Sequence, residues 1–288
     1  MRALFTGASS LLGGRVLGCL LDDDAYTEVW CGVHESDVEA AHPKLRRFSL
    51  RLEGEFSLDE IPAPLDAVVH FAGVTHARDE QRYWDVNMRG TARLAENARK
   101  LGCRRFVYVS TRCATEGSGA YGESKLAAER ELQRFDWESL LILRPSEVYG
   151  GGGSEGIDKF IQLARKLRVV PLLFGHARLQ FAPLHVDDFV RAACALLSER
   201  RRGVQVLELC GPESLSGAEL ARRIRRRFKA LPLPLWWPAL AFALRMLRRV
   251  RLSPVAPDQL ERLTGPKTAN HSTPGPALDA AVIRFMLD

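Results

Sequence analysis

The chain carries no Cys-x-x-Cys pair, no zinc-knuckle spacing and no aromatic-basic signature of RNA recognition. Its six cysteines, Cys19, Cys31, Cys103, Cys113, Cys194 and Cys210, are scattered singly, several in apolar segments. Dispersed thiols of this kind read as reduced core residues of a cytoplasmic protein, and no metal site is expected. No apolar run is built to span a bilayer: the richest, Leu231 to Leu247, is short and broken by proline. The start, Met1 to Leu21, lacks a small-residue cleavage site and is interrupted by Gly7, Gly13, Gly14 and Arg15, so it reads as part of the fold and not as a signal peptide. The net charge of +6 is concentrated in two arginine-rich stretches, Arg222 to Lys229 and Arg245 to Arg251. With no accompanying motif, this excess does not indicate nucleic acid.

What is present is ordinary globular composition: 288 residues, 46% hydrophobic and 26% charged, enough for one large domain or two small ones. The segment 2–5 is a short apolar strand. Thr6-Gly7-Ala8-Ser9-Ser10-Leu11-Leu12-Gly13 follows, then a helical run to Leu21. Strand, glycine turn and helix are the context of a phosphate-cradling loop, with backbone amides and a helix N-terminus facing the anion. Gly7 permits the turn and Gly13 close packing, but Ser10 stands where a middle glycine is usual, and its Cβ crowds that space. A plain strand-to-helix turn is the bland alternative. The strand 28–33 ends at His34-Glu35, where a ribose-binding acid belongs; Glu35 would also repel a 2′-phosphate, favouring NAD over NADP. The strand 65–70 runs into Phe71-Ala72-Gly73, small enough to let a dinucleotide pass close to the backbone. His70 on it reads as packed, not catalytic.

Tyr121 and Lys125 stand four residues apart in a predicted helix, so both side chains share a face. A nearby ammonium favours the phenolate over the phenol, and a phenol tuned towards neutrality can exchange a proton with a substrate oxygen. On spacing alone, such a pair is equally a solvated helix face. A helix over 84–100 contains Asn87, and the strand 105–111 ends in Thr111, at the carboxyl end where open α/β sheets bind ligands. The strand 140–145 follows the Tyr121 helix. This alternation predicts an α/β fold with a doubly wound parallel sheet.

Taken together, Thr6-Gly7…Gly13, His70-Phe71-Ala72-Gly73, Asn87…Gly90-Thr91, Val109-Ser110-Thr111, Tyr121…Lys125, Arg144-Pro145…Val148-Tyr149-Gly150 and His185-Val186-Asp187-Asp188 occur in an order that resembles the extended short-chain dehydrogenase/reductase family, in its branch of sugar-nucleotide epimerases and dehydratases. The resemblance covers about residues 1–220. It implies a Rossmann-type sheet with a smaller C-terminal substrate domain, NAD(P) as cofactor, and a homodimer through the helix bearing Tyr121. Tyr121 would be the acid/base, Lys125 would bind the nicotinamide ribose, and Thr111 would hydrogen-bond the reacting oxygen. Gly7, Ser9, Ser10, Leu11, Gly13, Phe71, Ala72, Gly73, Asn87 and Pro145 would line the cofactor, with His34 and Glu35 at its ribose. Thr111, Glu147, Arg178 and Gln180 would meet the substrate.

The departures narrow this. Arg112-Cys113 replaces the Asp-Glu pair that such dehydratases need for elimination of water. Gly151-Gly152 stands where epimerase-reductases of GDP-sugars place a histidine to work with a cysteine at the position of Cys113. Glu147 replaces an asparagine that donates to a nucleotide diphosphate; an ionised carboxylate only accepts, and repels one. What remains is hydride transfer at one carbinol or ketone carbon, by an oxidoreductase or an epimerase, on a sugar-nucleotide-like or other small substrate. A catalytically silent NAD(P)-binding scaffold or sensor is the alternative.

The expected domains are 1–148 with 181–203 returning to it, and 149–180 with 204–288. Residues 150–156 read as a mobile loop over the cleft, and Asp187-Asp188 as the cap of a helix from Phe189. Leu231 to Leu247 reads as a substrate-domain helix; the competing reading is a peripheral membrane contact through 231–251, with Trp236 and Trp237 at the headgroups. A short helix closes the chain from Ala277.

Overall fold

The computed structural model describes residues 1–34, 41–77, 79–153, 156–174, 180–199, 201–236, 238–240, 242–243 and 246. Glu35, Arg178, Trp237 and the closing helix from Ala277 fall outside these described residues.

Strand β1 (Arg2–Thr6) leads through the glycine turn into α1 (Leu11–Asp22), then β2 (Glu28–Val33) and β3 (Leu45–Ser49). The chain returns through β4 (Ala67–His70), a helical stretch made of α2 (Gln81–Tyr83), a π-helical segment Trp84–Gly90 and α3 (Thr91–Lys100), and β5 (Arg105–Val109). Helix α4 (Ala120–Leu132), β6 (Ser139–Pro145) and β7 (Val148–Tyr149) follow. The remainder is α5 (Gly156–Leu167), β8 (Val169–Phe174), β9 (Gln180–Phe181), β10 (Leu184–His185), α6 (Val186–Ser198), β11 (Gly203–Leu209), β12 (Leu215–Ser216), α7 (Gly217–Phe228) and β13 (Leu231–Trp236).

Seven strands form one parallel sheet in the order β11-β6-β5-β4-β1-β2-β3. Successive residues of each strand point to opposite faces, and the core divides accordingly. Ala3, Phe5, Val69, Val107 and Leu143 pack with α1 and α6 on one face. Leu4, Val68, Phe106, Ile142 and Tyr108 pack with α3 and α4 on the other. Burial on both faces is why these strands read as apolar runs and not as alternating ones. Strand order reverses between β1 and β4, so a crevice opens at the carboxyl ends of those two strands. A third cluster joins α5, α7 and β8 around Ile157, Val170 and Ile224.

The fold matches the predicted doubly wound sheet, with local corrections. The strand expected over 204–210 is β11, which extends the central sheet beyond the limit of 203 expected for the chain's return to it. Val169–Phe174 is a strand that the sequence pattern did not flag, and its parallel partner is β13. Thus Leu231–Trp236, read as the start of a helix, is extended. Alternating Leu and Pro explain this: an interior helical proline loses a hydrogen bond and clashes with the preceding turn, whereas an edge strand accommodates it. The predicted helix 84–100 is π-helical over its first seven residues. Glycines 150–153 are held in place: Asp158 accepts from Gly150 N (2.9 Å) and Gly153 N (3.1 Å), while Gln162 donates to Gly152 O and Gly153 O. Helix α6 is capped by His185, whose Nδ1 accepts from Asp187 N (3.3 Å); Asp187 and Asp188 sit inside the first turn, where α-helix dipoles favour acids.

The cysteine reading is corrected as well. Cys19 on α1 and Cys194 on α6 form a disulfide, across a sequence separation of 175 that hides it from any local pattern. Cys31, Cys103, Cys113 and Cys210 remain thiols. For the linked pair, the compositional ground for a reducing compartment is removed.

Candidate active site

The glycine turn follows from steric demand. Gly7 has φ +81°, and a Cβ on it would stand 2.4 Å from Ala72 N. β1 therefore meets the loop after β4 only because residue 7 has no side chain. A Cβ on Gly13 would stand 2.1 Å from Gly7 O. Ser10, the departure from the usual glycine, is folded back into the turn. Its hydroxyl donates to Gly7 O (2.7 Å) and accepts from Gly13 N (3.0 Å), which makes it the N-cap of α1. Its Oγ is thus engaged inside the turn. Ser9, Ser10 and Leu11 are exposed at the helix N-terminus, and His34 is exposed at the end of β2.

Beside this turn lies a buried polar layer. Thr6 Oγ1 is 2.6 Å from His70 Nδ1, and His70 Nε2 is 2.9 Å from Thr91 Oγ1. Burial, aided by the charge of Lys125, lowers the His70 pKa to about 3. His70 is therefore a neutral packing residue, and its hydrogen bonds are structural. Asn87, in the π segment, accepts from Val74 N (2.8 Å) and donates to Val74 O (3.0 Å) and Ser124 Oγ (3.3 Å). It thereby ties the Gly73-Val74 loop to α4. Pro145, the last residue of β6, accepts from Arg112 N (3.0 Å) and so braces the chain just after Thr111.

Helix α4 carries a stripe at four-residue spacing: Tyr121, Lys125 and Glu129, all buried. Tyr121 packs edge-on against Tyr83 (6.0 Å between centroids). Lys125 is 4% exposed, and its Nζ donates to Val109 O (3.0 Å) and lies 4.7 Å above the Tyr108 ring. Burial lowers its pKa to about 8, against an opposing pull from Glu129, so it remains mostly an ammonium at neutral pH. Glu129 accepts from Ser110 Oγ (2.5 Å) and from Arg144 through two nitrogens (2.9 and 2.5 Å). The end of β5 is thus fastened to α4 at Val109 and at Ser110. Thr111 comes next; it is 9% exposed, and its Oγ1 accepts from Cys113 N (3.2 Å). Ser110, Glu129 and Arg144 were not singled out from sequence. The available signal was Glu129 at eight residues from Tyr121, in phase with Lys125.

A second polar cluster joins two of the departures. Arg112 donates to both oxygens of Glu147 (3.2 and 3.3 Å), and Glu147 also accepts from Ala182 N (2.9 Å). Burial raises the thiol pKa of neighbouring Cys210, with the charge of Arg112 opposing. The Glu147 carboxylate is therefore committed to protein partners, and its negative charge is matched. Gln180 is exposed on β9, paired in register with Ser216.

These residues fit a bound dinucleotide: no Cβ intrudes at Gly7, and the N-terminus of α1 is open. At Gly73, a Cβ would stand 3.1 Å from Lys125 Nζ, so only bare backbone leaves that approach clear.

A parallel sheet whose strand order reverses beside a glycine turn, with buried Tyr and Lys one helical turn apart next to it, defines a dinucleotide-dependent protein of the short-chain dehydrogenase/reductase class. The chain belongs to the NAD dependent epimerase/dehydratase family, whose profile matches residues 3–210. It is 33% identical over 189 residues to the ceramide reductase of Caulobacter vibrioides, covering 64% of this chain and 56% of that protein. It is 26% identical over 200 residues to the UDP-glucose 4-epimerase of Vibrio cholerae, covering 59% and 60%. The chain thus spans less than two thirds of these relatives. Two solved structures share the fold. UDP-glucuronic acid 4-epimerase from Bacillus cereus in complex with NAD superposes with a TM-score of 0.67 at 20% identity, covering 82% of this chain and 85% of that one. A dTDP-glucose 4,6-dehydratase from Streptomyces venezuelae, solved with NAD, gives 0.68 at 22%, covering 82% and 84%. Among the described residues, no helix is long and apolar enough to cross a membrane, and no cluster of His, Cys, Asp and Glu is arranged to hold a metal.

Proposed function

We propose that the protein is an NAD-dependent oxidoreductase or epimerase that transfers hydride at one carbinol or ketone carbon, with Tyr121 as acid/base. The observation that carries this reading is the anchoring of Lys125: a buried ammonium, hydrogen-bonded to Val109 O and one turn from Tyr121 on the same helix. A cation fixed there favours the phenolate of Tyr121, so the residue takes a proton from an alcohol or returns one to a ketone. Thr111 would donate its hydroxyl to the same oxygen and stabilise its alkoxide character. The turn from Gly7 to Gly13, Gly73 and Lys125 would hold NAD, which supplies the hydride acceptor or donor when bound. The silent-scaffold alternative gains nothing from Ser10, whose hydroxyl is spent on capping, and the retained Thr111, Tyr121 and Lys125 argue against it.

For the substrate, we favour a ketone or secondary alcohol without a nucleotide diphosphate. The matched Arg112–Glu147 pair offers no amide donor of the kind that Asn supplies to a diphosphate, and the relative named a ceramide reductase indicates carbonyl reduction. Nucleotide sugars, on which the epimerase relatives act by name, are the second class. The test is NAD(H) turnover on a panel of both classes, with wild type and Tyr121→Phe in parallel. Activity lost in the variant, with NAD binding retained, supports the reading; turnover that survives the change removes it.

A further inference from the structure

Away from the Tyr121 site, two helix ends and an edge strand converge on one surface. Arg168, just past α5, donates to Phe228 O (2.6 Å) at the end of α7, and its own carbonyl accepts from Leu231 N (2.6 Å) at the start of β13. Arg168 and Lys229 both adopt left-handed backbone, with φ 55° and 50°, turning each chain sharply at this junction. Seven exposed cations stand at these two helix ends: Arg165, Lys166 and Arg168 at the end of α5, and Arg225, Arg226, Arg227 and Lys229 at the end of α7. The segments 159–174 and 220–236 contain no acid. Beside these cations, Leu167 (64% exposed), Leu231 (68%) and Leu233 (46%) face solvent, the last two from one face of β13. Leu231 and Leu233 stand about 7 Å apart along that face of β13.

Cations in a last helical turn are favoured by the helix dipole. It does not account for three exposed leucines set beside them. A nucleic-acid surface needs the charge but not the leucines. A surface with both is matched by a bilayer whose anionic headgroups meet the cations while the leucines enter the acyl boundary.

We infer that the junction of α5, α7 and β13 docks this protein on an anionic lipid bilayer. This surface is independent of the hydride-transfer reading. The face is an extended strand and two helix ends, where the sequence reading began a substrate-domain helix at Leu231.

The test is co-sedimentation of the full chain with vesicles of phosphatidylcholine, with and without phosphatidylglycerol. Binding is expected only when the anionic lipid is present, and it falls in high salt. Arg226→Gln/Lys229→Gln should weaken it roughly 30-fold, since each cation near an anionic surface contributes about a factor of five. Leu231→Ser/Leu233→Ser should weaken it roughly tenfold or more, from the apolar area no longer buried. Both double variants must keep wild-type NAD affinity, which reports the fold. No binding to anionic vesicles, or equal binding to both compositions, overturns the proposal. So does binding that Leu231→Ser/Leu233→Ser leaves unchanged, which would make the surface a general polyanion site. Sedimentation velocity supplies one more arm: a concentration-dependent dimer abolished by Leu231→Ser/Leu233→Ser would assign the face to a second copy instead.

Discussion

Replacing Glu129 by glutamine tests the fastening of β5 to α4. Glu129 is 1% exposed and holds Ser110 Oγ at 2.5 Å and Arg144 at 2.9 and 2.5 Å. The Arg144 pKa is raised chiefly by that hydrogen bond, so the guanidinium depends on it. Glutamine keeps the shape but removes the carboxylate that touches Arg144, leaving only the charge of Glu208 on the neighbouring strand. Removing one member of a buried pair costs about 3–5 kcal/mol. At about 2–4 °C per kcal/mol for a large domain, the midpoint falls roughly 6–20 °C. Urea unfolding of Glu129→Gln, Arg144→Met and the double variant forms the cycle. The double variant should be more stable than the sum of the singles by at least about 2 kcal/mol, because it removes both charges of the pair together. Singles that add to within about 0.5 kcal/mol would show that the pair is not coupled and refute the reasoning. A second readout belongs to the same variant. The Glu129 charge supports the Lys125 ammonium against burial, so its loss moves the Lys125 pKa below about 8. The alkaline limb of turnover should then shift to lower pH.

Burial lowers Lys125 from 10.5 to about 8, so between these values the unfolded chain binds more protons and stability rises with pH. Measured against Lys125→Met, wild type should gain roughly 3 kcal/mol across that window, and a flat difference contradicts the burial of the ammonium. Ser10→Ala should destabilise by about 1 kcal/mol through loss of the α1 cap, and Ser10→Gly by only a few tenths. If Ser10→Gly instead tightens NAD binding strongly, the side chain crowds the cofactor after all. Gly7→Ala should abolish NAD binding or folding, because its Cβ would stand 2.4 Å from Ala72 N; a variant with normal affinity would refute the turn geometry. Reductant, or Cys19→Ala/Cys194→Ala, should lower stability by about 2–4 kcal/mol, and an unchanged unfolding curve would show that the link contributes nothing.

The sheet was legible because its strands are buried on both faces and separated by helical runs. The glycine turn was legible because only glycine tolerates φ +81° against Ala72. Tyr121 and Lys125 were legible from periodicity. Part of what escaped rests on long-range contacts, which leave no local pattern. Cys19 and Cys194 meet because α1 and α6 pack on one face, 175 residues apart. Glu147 pairs with Arg112, so two departures judged separately are one compensated change. Ser10 looked obstructive by residue type, yet its rotamer turns the hydroxyl into the turn. Leu231–Trp236 misled by composition: its apolar content suggested a helix, while its period-two prolines forbid one.

The central claim is that Tyr121 moves the proton while Lys125, held by Val109 O, keeps it ready to do so. The direct measurement is single-turnover hydride transfer on a reactive substrate from the panel, with wild type and Tyr121→Phe each saturated with NAD(H). The account predicts a loss of roughly 10²–10⁴-fold in rate at unchanged NAD affinity. A Tyr121→Phe enzyme that transfers hydride at the wild-type rate would contradict it.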